Sequence, residues 1–206
     1  YYELVYNAAK LFPAEMRYRA TLVDYDYDGR KDLWTYGIGG LKIYRNVGDS
    51  GNGLQWELIT DLLYSEYING PSQLYVSSAD IPTIIDVDGD GDIDVLTFSQ
   101  GGETVEYHQN QSMELYGIPD SLIYELKNQC WGLFREDFNT NVISLNDQGV
   151  PCVGGGIPNP LRTGNSSSNP DVAKKHSGST LLALDMDNSG VLDLVLGDVS
   201  YSTLTL

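Results

Sequence analysis

The chain has little positive charge, and it has no long apolar run. It contains 12 Lys and Arg against 29 Asp and Glu, which gives a formal net charge of -17. A phosphate backbone is bound by basic runs or stripes, and because the sequence has none we expect no nucleic-acid partner. No apolar run approaches the roughly 20 residues of a transmembrane helix, so the chain is not expected to span a membrane.

The ends of the chain also lack features. The N-terminal "YYELVYNAAK" has no initiator Met and neither the charge nor the cleavage pattern of a signal peptide. The C-terminal "STLTL" has the pattern of a strand that is interrupted partway. We therefore expect an internal fragment of a longer protein.

What the sequence does contain favours β-structure. Its 206 residues are 41% hydrophobic, which is enough to bury a core. Fifteen Tyr and many Val, Ile, Leu and Thr occur in short runs that are separated by 22 Gly. This composition predicts short strands and tight turns, and hence an all-β fold class.

One acidic pattern occurs three times, at 22–36, 84–98 and 181–197, as "LVDYDYDGRKDLWTY", "IIDVDGDGDIDVLTF" and "LLALDMDNSGVLDLVLG". We name these segments loop one, loop two and loop three. Acidic or hydroxyl side chains occupy loop positions 1, 3 and 5, Asp occupies position 9, and an apolar residue follows. In chain order these residues are Asp24, Asp26, Asp28 and Asp32; Asp86, Asp88, Asp90 and Asp94; and Asp185, Asp187, Ser189 and Asp193.

The spacing predicts a bound cation in each loop. Several carboxylates within a few ångströms of one another stay ionised only when a positive charge offsets their repulsion. All candidate ligands are hard oxygens, and the loops contain no His or Cys, so calcium is the expected ion. A glycine at position 6 allows the tight turn, and position 7 would add a backbone carbonyl from Arg30, Asp92 or Val191. We expect two to three Ca²⁺ ions.

The loops admit two other interpretations. An EF-hand needs a bidentate Glu at position 12 and a helix on each side, whereas position 12 is Thr35, Thr97 or Leu196 and the flanks are short β-rich runs. Each loop is therefore expected to join two strands of a hairpin. The second interpretation, a solvated acidic turn without metal, is stronger for loop three, which has one carboxylate fewer.

These residues carry a family resemblance. The repeated "DxDxDGxxD" followed by Leu or Val, together with "GGLKIYRNVGD", resembles the FG-GAP and VCBS repeats of integrin-like β-propellers. In that family each repeat is a four-stranded blade of about 60 residues, and a calcium loop links its first two strands. The step from Asp24 to Asp86 is 62 residues, and the step from Asp86 to Asp185 is 99. The longer step leaves room for an insertion or a degenerate repeat.

The resemblance implies a partial β-propeller with calcium-binding hairpin loops. A first blade is expected at 1–60, a second at 61–115, an insertion or degenerate blade with a long loop at 116–178, and the start of a further blade at 179–206. Propellers close with roughly four to eight blades, so the remainder would come from sequence outside this chain or from a partner.

A narrower resemblance concerns cellular location. "CWGLFREDFNTNVISLN" and the last 31 residues, from "HSGST" onward, are similar to large secreted VCBS-type proteins of Bacteroidota that the type IX secretion system exports. It implies a secreted or cell-surface protein in which calcium is structural and the role is binding or adhesion to a protein or glycan ligand, without catalysis. Alternatives are an accessory propeller of a secreted polysaccharide-degrading enzyme, and a component or passenger of a type IX secretion or gliding assembly that binds outer-membrane secretion components.

The two cysteines, Cys130 and Cys152, lie in the middle of the chain. A disulfide between them would close a loop of about 23 residues and contribute on the order of 3 kcal/mol. The alternative is a pair of unpaired buried thiols. The segment 101–178 around them contains a stretch rich in Gly, Pro, Ser and Asn, and is either a ligand-facing segment or an inert surface excursion.

Catalytic patterns are weak. The only histidines, His108 and His176, have no recognisable nucleophile partner in the sequence. The aspartates that a glycosidase would need are already assigned as metal ligands. Trp34, Trp56 and Trp131 could stack on sugars, but core packing is the simpler interpretation for Trp34. No catalytic residue is predicted.

Overall fold

The computed structural model describes residues 6–137, 142–145, 179–198 and 204–205. Over these residues the fold is all-β, as the sequence predicts, and the strands form several sheets, none of which closes. The strands are β1 (Ala20–Val23), β2 (Asp32–Gly37), β3 (Gly40–Asn46), β4 (Trp56–Thr60), β5 (Tyr64–Tyr67), β6 (Gly70–Gln73), β7 (Thr83–Ile85), β8 (Asp94–Phe98), β9 (Val105–Asn110), β10 (Tyr124–Asn128), β11 (Phe134–Asp137), β12 (Val142–Leu145), β13 (Ser179–Leu184), β14 (Asp193–Asp198) and β15 (Leu204–Thr205).

Helical structure is sparse in the described part of the chain. It consists of helix α1 (Ser112–Tyr116) and two 3-10 turns, Ala8–Leu11 and Trp131–Leu133. Across the ranges that the structure covers, every helix is too short or too polar to cross a bilayer.

The first sheet is an antiparallel meander in the order β1-β2-β3-β4. Val23 at the end of β1 pairs with Asp32 at the start of β2, so loop one closes the hairpin between them directly. The β2–β3 turn is tight, with Gly37 opposite Gly40.

The second sheet has six strands in the order β6-β5-β10-β9-β8-β7. Loop two joins β7 to β8, and β7, β8, β9 and β10 follow one another as a four-stranded antiparallel meander. The β5–β6 hairpin is added to this meander by a parallel pairing of β5 with β10. The sheet includes β10, which follows the predicted second blade at 61–115.

The remaining strands form smaller sheets. Loop three joins β13 to β14, which pairs in turn with β15, and β11 forms a separate hairpin with β12. The sheet of β13, β14 and β15 contacts the second sheet through β13. The N–H of Leu181 in β13 donates to the carbonyl of Ile81, just before β7, at 2.9 Å.

Two hydrophobic cores lie on opposite sides of β8. Val95 packs into the first core and its neighbour Leu96 into the second, because successive side chains of a strand point to opposite faces. All five residues of β8 are buried for this reason. The first core lies between the first and second sheets and contains Tyr25, Trp34, Leu41, Ile43, Leu63, Leu74, Val76, Ile93, Val95 and Tyr124; the second contains Leu96, Phe98, Val105, Phe134, Leu181, Ala183 and Leu196.

Three edge strands, β1, β7 and β13, adjoin one another where they begin. Arg19, just before β1, donates to the carbonyls of Ser77 and Asp80, just before β7. Beside β7, Ile81 forms a parallel bridge with Thr180 of β13. The three sheets that contain these edge strands are therefore joined by hydrogen bonds near them as well as by the two cores.

Candidate metal centres

The three loops share one backbone fold. In each, the carboxylate at position 1 accepts a hydrogen bond from the N–H of position 6, at 2.9 to 3.1 Å. The side-chain oxygens at positions 3 and 5 each accept from the N–H two residues further on. The carboxylate at position 9 accepts from the N–H of position 2. Because the same contacts recur three times, the loops are structural repeats as well as sequence repeats.

Glycine at position 6 is required by this fold. Gly29, Gly91 and Gly190 have φ of 88°, 102° and 83°. This region disfavours residues that carry a Cβ, so a substitution at position 6 would strain the turn that directs an N–H at the position 1 carboxylate.

Each loop brings three aspartates together. In each group one oxygen from every carboxylate lies within 4.8 Å of the others, which is close enough for one cation to contact all three. Carboxylate oxygens at this density suit a hard divalent ion such as Ca²⁺. The groups are Asp24, Asp26 and Asp32 in loop one, Asp86, Asp88 and Asp90 in loop two, and Asp185, Asp187 and Asp193 in loop three.

Of the aspartates predicted to bind metal through their side chains, Asp94 and Asp28 stand outside these groups among the described residues. The Asp94 carboxylate is fully buried and accepts hydrogen bonds from the N–H of Val87 at 2.9 Å and of Asn110 at 2.8 Å. Burial, opposed by these hydrogen bonds and reinforced by nearby carboxylates, raises the pKa of Asp94 to about 7. Asp94 therefore ties loop two to the end of β9.

Asp32 makes the same tie in loop one. Its carboxylate accepts from the N–H of Tyr25 at 3.1 Å and of Asn46 at 2.9 Å, and burial raises its pKa. Asn46 and Asn110 occupy equivalent places at the ends of the third strands, β3 and β9. Each also accepts, through its side-chain oxygen, the N–H of the residue two positions on. The aspartate at position 9 and this asparagine form a repeated brace that the sequence analysis missed, although an Asn follows each of the first two loops at a similar distance.

Loop one contains its own cations. The Arg45 guanidinium lies 2.6 Å from Asp26 and 3.4 Å from Asp28. Arg30 forms a second ion pair with Asp28. Burial opposes the change, but hydrogen bonds from Arg30 and the charge of Arg45 lower the pKa of Asp28 overall. Part of the negative charge of loop one is therefore neutralised within the chain.

Loop two has neutral donors where loop one has cations. Gln109, which precedes Asn110 as Arg45 precedes Asn46, donates to Asp88. The hydroxyl of Tyr107 donates to Asp88 at 3.0 Å and to Asp94 at 3.2 Å. Within the described ranges, no Lys or Arg forms an ion pair with an acid of loop two.

The residues at position 7 have three different environments. The Arg30 side chain reaches Asn46 and Asp28, and Val191 is 69% exposed. The Asp92 side chain is fully buried, and its Oδ2 accepts from the N–H of Met113 in helix α1 at 2.9 Å. Burial, and then repulsion from Asp90 and other acids, raises the pKa of Asp92 to about 6. The sequence predicts a role for Asp92 only through its carbonyl and contains no local sign of this side-chain contact.

His108 has a hydroxyl neighbour that the sequence did not indicate. Its Nδ1 lies 2.8 Å from Ser65 Oγ, and its Nε2 lies 3.4 Å from Glu106 Oε2. Ser65 is only 2% exposed and His108 is fully buried within the second sheet. A substrate cannot reach a hydroxyl at this depth without opening the sheet, so the cluster links β5 to β9 and is not arranged for attack on a substrate.

The tryptophans pack against the protein. Trp34 is fully buried in the first core, which confirms its predicted packing role. Trp56 stacks on Phe12 and donates its Nε1–H to the carbonyl of Leu11, and Trp131 packs against the second core. Of the other predicted features, Cys130 is buried. Its expected partner Cys152 lies outside the described residues, as does His176.

Similarity to known proteins adds nothing to this site chemistry. Comparison of the chain with protein families, with curated proteins and with solved structures finds no match.

Proposed function

We propose that this chain is a calcium-binding β-propeller segment of an exported protein, displayed at the cell surface or secreted. Calcium would stabilise its blades, and its role would be binding or adhesion to a protein or glycan ligand, without catalysis. The observation that carries the proposal is the shared hydrogen-bond pattern of the three loops, each of which holds three carboxylate oxygens within 4.8 Å of one another.

Electrostatics favour the metal. With three carboxylates so close, ionisation of all of them at neutral pH is unfavourable unless a cation is bound. The backbone N–H groups of each loop orient the carboxylates but carry no formal charge. Calcium accepts irregular sets of oxygen ligands, whereas Mg²⁺ demands near-octahedral geometry and retains waters, so calcium fits loops of this kind better.

The arrangement of the sheets supports the propeller. β1–β4 and β7–β10 are both four-stranded antiparallel meanders with the acidic loop between their first two strands. The sheets stack through the two cores, and the edge strands β1, β7 and β13, each of which leads into an acidic loop, adjoin where they begin. Blades arranged around a common axis would have these relationships.

The exported location follows from the family resemblance and agrees with the expected affinity. Extracellular calcium modules bind with dissociation constants of about 10⁻⁴ to 10⁻³ M, so their occupancy depends on the millimolar calcium outside cells. An adhesive role suits a module whose metal is structural and whose long connections are free to vary.

Calorimetric titration of the chain with Ca²⁺ tests the proposal. We expect a saturable heat of binding. Asp88→Asn should remove the site in loop two and Asp187→Asn the site in loop three, because each change removes one carboxylate from one loop. The control is Glu57→Gln, an exposed change on β4 outside the loops. Absence of binding by the unchanged chain, or unaltered binding in both loop variants, would refute the calcium assignment.

A further inference from the structure

A second acidic group adjoins loop two. Oxygens of Asp90, Asp92 and Glu114 lie within 4.8 Å of one another. Asp90 belongs also to the first group of loop two, whereas Glu114 comes from helix α1, which follows β9. The two groups therefore share one carboxylate, that of Asp90.

Two buried oxygens of this group have no partner. Asp92 is 0% exposed, and its Oδ1 makes no hydrogen bond among the described residues, since Met113 uses only Oδ2. Oδ2 of Asp90 is likewise buried without a partner. Removing carboxylate oxygens from water without a hydrogen bond or a counter-charge is costly, so a ligand that supplies positive charge would stabilise this arrangement.

Loop one shows what supplies the charge at the equivalent place. There position 7 is Arg30, and its guanidinium pairs with Asp28 at position 5. In loop two position 7 is Asp92. The residue near Asp90 at position 5 therefore carries a second carboxylate instead of a guanidinium. The chain provides a cation beside position 5 in loop one, whereas loop two has two further acids there, so a cation for loop two would come from solution.

Hydrogen bonds hold helix α1 beside loop two. The N–H of Met113 donates to Asp92, which fixes the start of α1 against loop two. The Gln109 side chain donates to both Asp88 and Glu114 and thereby connects the two acidic groups. These two contacts place Glu114 beside loop two.

From these observations we propose that loop two holds two divalent cations, with a second Ca²⁺ bound by Asp90, Asp92 and Glu114 beside the first. Asp90 would bridge the ions. This inference rests on the proposed calcium binding of the loops. It gives the Asp92 side chain a ligand role in addition to the carbonyl role expected of position 7.

Equilibrium dialysis of the full chain at fixed free Ca²⁺, followed by metal analysis, tests the proposal. Glu114→Gln should bind one Ca²⁺ fewer than the unchanged chain, or bind one ion about tenfold more weakly, because one charged ligand is lost. Glu114 is exposed, so this variant should fold, and Asp92→Asn should show the same loss. Glu57→Gln, exposed on β4, should bind as many ions as the unchanged chain.

A charge reversal separates a metal ligand from a structural residue. Glu114→Lys would place an ammonium beside Asp90 and Asp92, so we expect one ion fewer and a higher melting temperature in chelator. If Glu114→Lys binds Ca²⁺ with unchanged stoichiometry and affinity, the second site is refuted. If Asp86→Asn loses an ion while Glu114→Gln and Glu114→Lys lose none, the second site fails and the loop assignment stands; if the unchanged chain binds no Ca²⁺, both fail.

Discussion

The Asp94 carboxylate accepts a hydrogen bond from the backbone N–H of Asn110, with 2.8 Å between Oδ1 and N. Asp32 and Asn46 repeat the contact at 2.9 Å in the first sheet. Because each aspartate also accepts an N–H from its own loop, it connects the first hairpin of a meander to the third strand. The residue at position 9 therefore has a structural role that does not depend on metal.

Removal of this brace should destabilise the protein with or without calcium. Asp94→Ala leaves the N–H groups of Val87 and Asn110 without their acceptor, and we expect a loss of about 2–4 kcal/mol in the free energy of unfolding. Urea unfolding in chelator measures it. Glu57→Gln on exposed β4 serves as the control, and an unchanged unfolding midpoint for Asp94→Ala in chelator would contradict the brace.

Asp88 should behave differently, because its carboxylate is exposed and belongs to the candidate metal group. In chelator Asp88→Asn removes like-charge repulsion but keeps an oxygen that can accept hydrogen bonds, so the melting temperature should stay the same or rise. In calcium the same variant should melt lower than the unchanged chain. Thermal melts under both conditions provide the comparison, and an equal loss in both would mean that Asp88 acts without metal.

Stability in chelator should depend on pH. Burial raises the pKa of Asp94 to about 7 and of Asp92 to about 6, above the unfolded value of about 4. Folding therefore favours the protonated forms, and their contribution is lost as pH rises through these folded-state pKa values.

The melting temperature in chelator should accordingly be higher at pH 5 than at pH 8. Calcium binds the ionised carboxylates, so saturating calcium should flatten or reverse this trend. Melts across the pH range, each with calcium and with chelator, measure both slopes. A chelated protein that gains stability toward pH 8 would show that these aspartates are not destabilised by ionisation.

Loop one should bind calcium more weakly than loop two, since Arg45 already pairs with Asp26 and Asp28. Arg45→Gln copies the Gln109 of loop two and should strengthen calcium binding at loop one by about tenfold while lowering stability in chelator. Calorimetric titration resolves the change. Lys42→Gln, on the same strand but paired with Glu15 and Asp61, should leave the affinity unaltered.

The local structure around each loop could be predicted from sequence because it depends on near neighbours. Alternating carboxylates, the glycine at position 6 and short β-rich flanks specify a strand, a loop and a strand within about a dozen residues. The all-β class followed from the same local signals.

Contacts between distant segments could not be predicted in this way. The sequence gives no local sign that Glu114 comes to lie near Asp90, or that β5 pairs in parallel with β10. The burial of Asp92 depends on where α1 is placed, and α1 is only five residues long. One distant contact did leave a signal, because Asn46 and Asn110 follow their loops at similar spacings.

The central claim is that calcium stabilises the loops, and a thermal melt of the chain with Ca²⁺ and with excess chelator tests it most directly. With free Ca²⁺ about a hundredfold above the dissociation constant, each occupied site should contribute roughly 2.7 kcal/mol and raise the melting temperature by about 5–10 °C. The midpoint should rise further with calcium concentration, and Mg²⁺ should have a smaller effect. Identical melts in calcium and in chelator would contradict the account.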